Sequence, residues 1–250
     1  MARNIAVAGK GGTGKTTFAS LMVRYLVENG KGSILALDAD PNANLNEALG
    51  LEVNTMISEI LDETKDPKAI PTGMTKDMFI EYKLSQSIIE TEHVDLLVMG
   101  GPQGPGCYCY PNDLLRRHLE SLSKNYDYLV IDNEAGLEHI SRKTIPRIDY
   151  LFLISDASVR GVRSAGRVYQ LVQSLKTPVE HIGLVVTKTG EEGVAPLREE
   201  IEKTGLQLLG TVPLDPLVAE YDVAGKPLFQ LPEDSVAVQA VNDILKKTGI

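Results

Sequence analysis

Nine residues near the amino terminus, Gly9-Lys10-Gly11-Gly12-Thr13-Gly14-Lys15-Thr16-Thr17, fit the pattern G-x-x-x-x-G-K-[ST]. That pattern suits the holding of a nucleotide's phosphate chain. Glycines let backbone N–H groups converge on phosphate oxygens, and a following helix N-terminus adds a favourable dipole. Lys15 is placed to reach the β- and γ-phosphates, and the Thr16 hydroxyl to ligate Mg²⁺. Two acidic strand ends extend the set. In Leu35-Ala36-Leu37-Asp38-Ala39-Asp40-Pro41-Asn42 the two carboxylates share a strand face by period two, so both can approach Mg²⁺ and its waters. Tyr128-Leu129-Val130-Ile131-Asp132 is an apolar run closed by an acid, the arrangement that holds Mg²⁺ through water. Two later strand ends, Thr187-Lys188 and Val212-Pro213-Leu214-Asp215, fall where a base lies if its phosphates lie on Gly9–Thr17.

The chain has two cysteines, and both stand in one Gly/Pro-dense loop, Gly100–Pro111, as Cys107-Tyr108-Cys109. In an extended C-x-C segment the two sulfurs point the same way and can meet one ion. A helix read from near Asn112 places them just before its N-terminus, which favours thiolates. Two ligands leave a tetrahedral or square-planar ion half-coordinated, and a two-fold dimer supplies the other pair. Four thiolates at such an axis suit Ni²⁺, Zn²⁺ or a [4Fe–4S] cluster.

These residues must be positioned by alternating strands and helices. Apolar runs at Asn4–Ala8, Ser33–Asp38, Asp95–Met99, Tyr128–Asp132, Tyr150–Ser155, Ile182–Thr187 and Gln207–Val212 read as strands, several covered on both faces. Helical spacing runs through Lys15–Asn29, Asp77–Glu90, Asn112–Lys124, Val159–Leu175, Pro196–Lys203 and Ser235–Lys247. The fold class expected is α/β: one P-loop NTPase domain over residues 1–250, with a mostly parallel sheet of seven or eight strands and helices on both faces. Asp62–Glu92 reads as an irregular insertion on the sheet that caps the site. The 250 residues carry a net charge of −9, which argues against a nonspecific nucleic-acid binder. No run reaches the ~18 apolar residues of a membrane span, and the amino-terminal apolar run is too short for a signal peptide, so the chain reads as cytoplasmic.

The second lysine of the phosphate loop, Lys10, resembles the signature lysine of the deviant Walker A ATPases, which include the nitrogenase iron protein, the MinD/ParA cell-division and plasmid-partition ATPases and several metallochaperones. The resemblance covers Arg3 to about Lys247. It implies an ATP-driven homodimer in which Lys10 acts across the interface. It further implies that Asp40 orients or deprotonates the attacking water, that Asp38 supports the metal from behind, and that the base is adenine contacted by backbone groups of the Pro213–Asp215 segment. This sequence has Thr187 where the family often has Asn, and Glu134 where the commonest form has Pro. The run Asp132-Asn133-Glu134-Ala135-Gly136-Leu137-Glu138-His139, together with the C-x-C pair, resembles the CooC-type nickel-insertion ATPases. Glu134, Glu138 and His139 otherwise read as solvated loop residues.

The resemblance therefore implies a MgATP-hydrolysing metallochaperone holding Ni²⁺, with Zn²⁺ as a substitute, between two copies of Cys107 and Cys109. Its client would be a nickel–iron–sulfur enzyme, carbon monoxide dehydrogenase or acetyl-CoA synthase. The alternatives are an iron–sulfur scaffold or redox ATPase and a MinD/ParA-type positioning ATPase acting on membrane or DNA. The weak basic character of Ser235–Lys247 and the −9 charge speak against the last, so neither nucleic acid nor membrane is expected as partner.

Overall fold

The computed structural model describes residues 2–101, 109–135, 147–175 and 178–250. Cys107, Gly136, Glu138 and His139 lie outside them. Strands β1 (Arg3–Gly9), β2 (Ile34–Ala39), β3 (Asp95–Val98), β4 (Tyr128–Ala135), β5 (Ile148–Asp156), β6 (Val179–Thr189) and β7 (Leu208–Pro213) form one sheet in the order β3-β2-β4-β1-β5-β6-β7. Every pairing between these strands is parallel. The sheet thus has seven strands among the described residues.

Period-two alternation sorts the strand side chains into two cores. Ile5 and Val7 face one side, where they meet helices α1 (Lys15–Glu28), α2 (Leu45–Leu49) and the last helix of the chain (Val236–Thr248). Ala6 and Ala8 face the other, covered by α3 (Ile57–Glu63), α4 (Lys76–Gln86), α5 (Cys109–Leu122), α6 (Val159–Leu175) and α7 (Arg198–Thr204). The remaining α-helices among the described residues are α8 (Pro216–Ala224) and the last one, α9 (Val236–Thr248). Burial on both faces explains why the strands read as continuous apolar runs.

Two expectations change. The 62–92 segment does not cover the phosphate loop: Ile80 and Leu84 of α4, with Ile57, Ile60 and Leu61 of α3, belong to the core that covers the second face of the sheet. None of its residues lines the cleft around Lys15 and Thr16. Its apolar positions at helical spacing are satisfied by the sheet, which is why it lies down on it. Helix α5 begins at Cys109 rather than near Asn112, with Pro111 in its first turn, where a missing N–H costs nothing. Cys109 is therefore a helical residue; the rest of the C-x-C segment lies outside the described residues. The sequence reading also passed over α2, α3 and α8, of five, seven and nine residues.

Candidate functional site

The phosphate loop leaves the sheet at Gly9. This residue pairs with Ile154 of β5, and a Cβ there would run into the Ile154 carbonyl oxygen. The loop then folds back on itself, Thr13 donating from Oγ1 (2.8 Å) and from its amide (3.4 Å) to the Lys10 carbonyl. Gly14, at φ 83°, caps α1 in a conformation that favours glycine, with no side-chain cap and no acidic residue in the first turn. A helix start would ordinarily satisfy its orphan N–H groups with Ser, Thr, Asp or Asn. Here they are left for an external anion. Lys15 opens the helix and is buried, whereas Lys10 is exposed and its ammonium bonds to no described residue.

Strand order brings Asp132 of β4 beside this loop. Thr16 Oγ1 donates to Asp132 Oδ2 at 2.6 Å, while Asp132 Oδ1 is buried without a hydrogen-bond partner. Only 1% of Asp132 is exposed. Burial pushes its pKa up to about 7, against the Thr16 bond and the nearby Lys15 charge, with Asp38 and Asp40 raising it further. A carboxylate with one oxygen orphaned and its charge under-compensated, next to a threonine hydroxyl, fits a hard divalent cation. Thr16 would hold Mg²⁺ directly and Asp132 through water. Bound there, Mg²⁺ supplies charge neutralisation at the β- and γ-phosphate oxygens.

The carboxylate pair at the end of β2 divides its work. Asp38 is fully buried, and its two oxygens accept from the Asp40 (3.0 Å) and Leu45 (2.8 Å) amides. Burial raises its pKa despite those bonds. Asp38 therefore shapes the turn that carries Asp40. Asp40 accepts from the amide and the side-chain nitrogen of Asn42, both at 2.9 Å, and lines one cleft with Lys15, Thr16 and Glu134.

A second, more apolar cleft opens on the far side of Gly14, lined by Phe18, Val212, Pro213, Leu214 and Val218 among others. Thr187, Lys188 and Asp215 border it too. The Asp215 carboxylate is already engaged: it accepts from Leu217 N (2.9 Å), Ser235 Oγ (2.6 Å) and Ala237 N (3.1 Å). Burial pushes its pKa up, but these donors outweigh it and hold the group below the usual carboxylate range. Asp215 joins the start of α8 to the start of α9, and its carboxylate is spent on that junction. Ser235, missed as a site residue, is its partner. Its sequence signal was an N-cap serine before an apolar helix. The structure thus brings together Gly9–Thr17, Asp38, Asp40, Asp132, Thr187, Lys188 and Val212–Asp215. Cys107 lies outside the described residues.

A family model described as the CobQ/CobB/MinD/ParA nucleotide binding domain matches residues 5–228. The chain belongs to this family. It is an ATP-binding P-loop ATPase, which accords with the loop, the metal corner and the two clefts. An uncharacterized ATP-binding protein of Methanocaldococcus jannaschii is 42% identical over 97% of both chains. The carbon monoxide dehydrogenase accessory protein CooC of Rhodospirillum rubrum is 30% identical, covering 91% of this chain and 89% of its own. The fold is that of the solved septum site-determining protein MinD of Pyrococcus horikoshii, complexed with Mg-ADP (TM-score 0.73, 23% identity, 99% and 96% of the two chains).

Proposed function

We propose that this ATPase is a nickel metallochaperone: two subunits close on MgATP, hold one Ni²⁺ between their Cys107 and Cys109 thiolates, and release it on hydrolysis to a nickel–iron–sulfur client, carbon monoxide dehydrogenase or acetyl-CoA synthase. The observation that carries the reading is the 30% identity, along nearly the whole chain, to an accessory protein of carbon monoxide dehydrogenase. The C-x-C pair gives a soft-ligand set to go with it. In the proposed cycle Asp40 orients the attacking water, Lys15 neutralises the phosphate chain, and Lys10 reaches the partner subunit's nucleotide.

A physical link between nucleotide and cargo supports this. The first carboxylate turn abuts the strand end that leads into the cysteine loop. Met99 N donates to Asp38 O at 2.8 Å. Gly101 lies so close to Pro41 that a Cβ there would sit 3.3 Å from the proline ring. A turn that responds to the γ-phosphate would therefore press on the root of the loop.

Equilibrium dialysis with a nonhydrolysable ATP analogue tests the reading. About one Ni²⁺ per two chains is expected for wild type, and binding reduced at least 100-fold for Cys107→Ala; undiminished binding by that variant rejects it. The family description also admits a positioning ATPase. Against a membrane role, the apolar face of α9 is spent in the core through Ala237, Val238, Val241, Ile244 and Leu245, and its basic residues are Lys246 and Lys247. ATP-dependent cosedimentation with liposomes or DNA would instead favour that role, and a brown chromophore on anaerobic purification would favour an iron–sulfur scaffold.

A further inference from the structure

Thr187 lines the apolar cleft beside Gly14, where a side chain that reads the base is expected. Its hydroxyl is turned elsewhere. Buried to 5% exposure, Oγ1 lies 2.6 Å from the Thr13 carbonyl oxygen and 3.1 Å from that of Ser155. Its single proton goes to the nearer acceptor. The next residue does a similar thing from the surface: Lys188 Nζ donates to the Gly12 carbonyl at 2.8 Å. Lys188 holds φ 55°, a left-handed conformation that costs a side-chain-bearing residue energy, at an irregularity in the β6–β7 pairing between Thr187 and Thr189.

We propose that Thr187, seconded by Lys188, is a positioning residue for the phosphate loop and not a reader of the base. The reason is the geometry of the peptide unit. A trans peptide points its C=O and the following N–H in opposite directions. Fastening the Thr13 carbonyl outward to Thr187 turns the Gly14 N–H inward, toward the place of the phosphates. Fastening the Gly12 carbonyl outward does the same for the Thr13 N–H, whose only bond in the loop is the long one to Lys10. The glycines that let the loop adopt this shape also let it lose the shape, since they carry the largest conformational freedom of any residue. Two fastenings from β6, itself paired with β5 and β7, remove that freedom before the nucleotide arrives. With Thr187, Lys188 and Asp215 all engaged, the base is left to apolar walls and backbone groups.

Mg-tripolyphosphate, a phosphate chain with no base, separates the two roles. Its affinity and that of MgATP would be measured by competition with a fluorescent nucleotide. Thr187→Val, which keeps shape and removes the donor, is expected to weaken both by about tenfold, while Thr187→Ser restores both to within about twofold. Lys188→Met is expected to weaken both by roughly threefold. MgATP weakened with tripolyphosphate unchanged would make Thr187 a base reader and overturn the proposal, as would no change in either. Circular dichroism checks folding; if Thr187→Val fails to fold, the exposed Lys188→Met decides, parallel weakening supporting the proposal and no weakening rejecting it.

Discussion

Asp132→Asn is expected to make the nucleotide-free protein more stable at pH 8 while abolishing its MgATP hydrolysis. The two effects share one cause. The carboxyl is buried, has one oxygen unpartnered, and titrates at about 7 in the folded chain, against an ordinary 3.8. Between those values the folded state binds the proton more tightly than the unfolded one. Stability therefore falls as pH rises from about 4 to about 7, and above 7 the full cost of a buried charge is carried. Asparagine is neutral throughout and can still accept the Thr16 hydroxyl. The gain at pH 8 is on the order of 2–4 kcal/mol, or roughly 5–15 °C in melting temperature, and it vanishes below about pH 4. Hydrolysis should fall at least 100-fold, because the charge that costs stability is the one that would hold Mg²⁺ through its water. Calorimetry at pH 4, 6 and 8 with a phosphate-release assay checks both. A variant no more stable than wild type at pH 8 would mean that Asp132 is compensated in the nucleotide-free protein.

Lys10→Ala and Asp40→Asn are each expected to lower kcat at least 100-fold and to leave MgATP binding within a few fold, since Lys15 and the loop amides hold the phosphates. Mixing the two inactive variants is the stronger measurement. Asp40 shares its cleft with Lys15 and Thr16 of the same subunit, so in the proposed cycle it acts on that subunit's nucleotide. If Lys10 serves the partner's, a mixed dimer has one site with both groups intact and one with neither. A random 1:1 mixture then recovers about a quarter of wild-type activity, because half the dimers are mixed and half their sites are whole. Recovery of nothing would place Lys10 on its own subunit's nucleotide. The exposed ammonium of Lys10, bonded to no described residue and carried on a backbone pinned by Thr13, is the feature that permits the reach.

Local and distant contributions separate cleanly in this chain. Gly9–Thr17 was legible in the sequence because its chemistry is local: glycine torsions and a helix start with no cap of its own are set by neighbouring residues. The alternation of apolar strands and amphipathic helices was legible for the same reason, and it led to the parallel sheet. The sequence by itself also placed Asp38 and Asp40 at the end of a strand, and hence on the side of the sheet where a ligand binds; Asp132, expected to close its strand, is followed by three more residues of β4. What each acid does there depended on partners far along the chain. Asp132 meets Thr16 across 116 residues, and Thr187 meets Thr13 across 174. Those meetings exist because β1 lies between β4 and β5, an order that no local pattern encodes. Only the tertiary structure gave Asp38 to the backbone of its own turn and Asp215 to Ser235, and took the 62–92 segment away from the phosphate loop. The physical reason is common to all three: burial obliges polar groups to find partners and apolar groups to find cover, and which ones are within reach is decided by packing, not by position in the sequence.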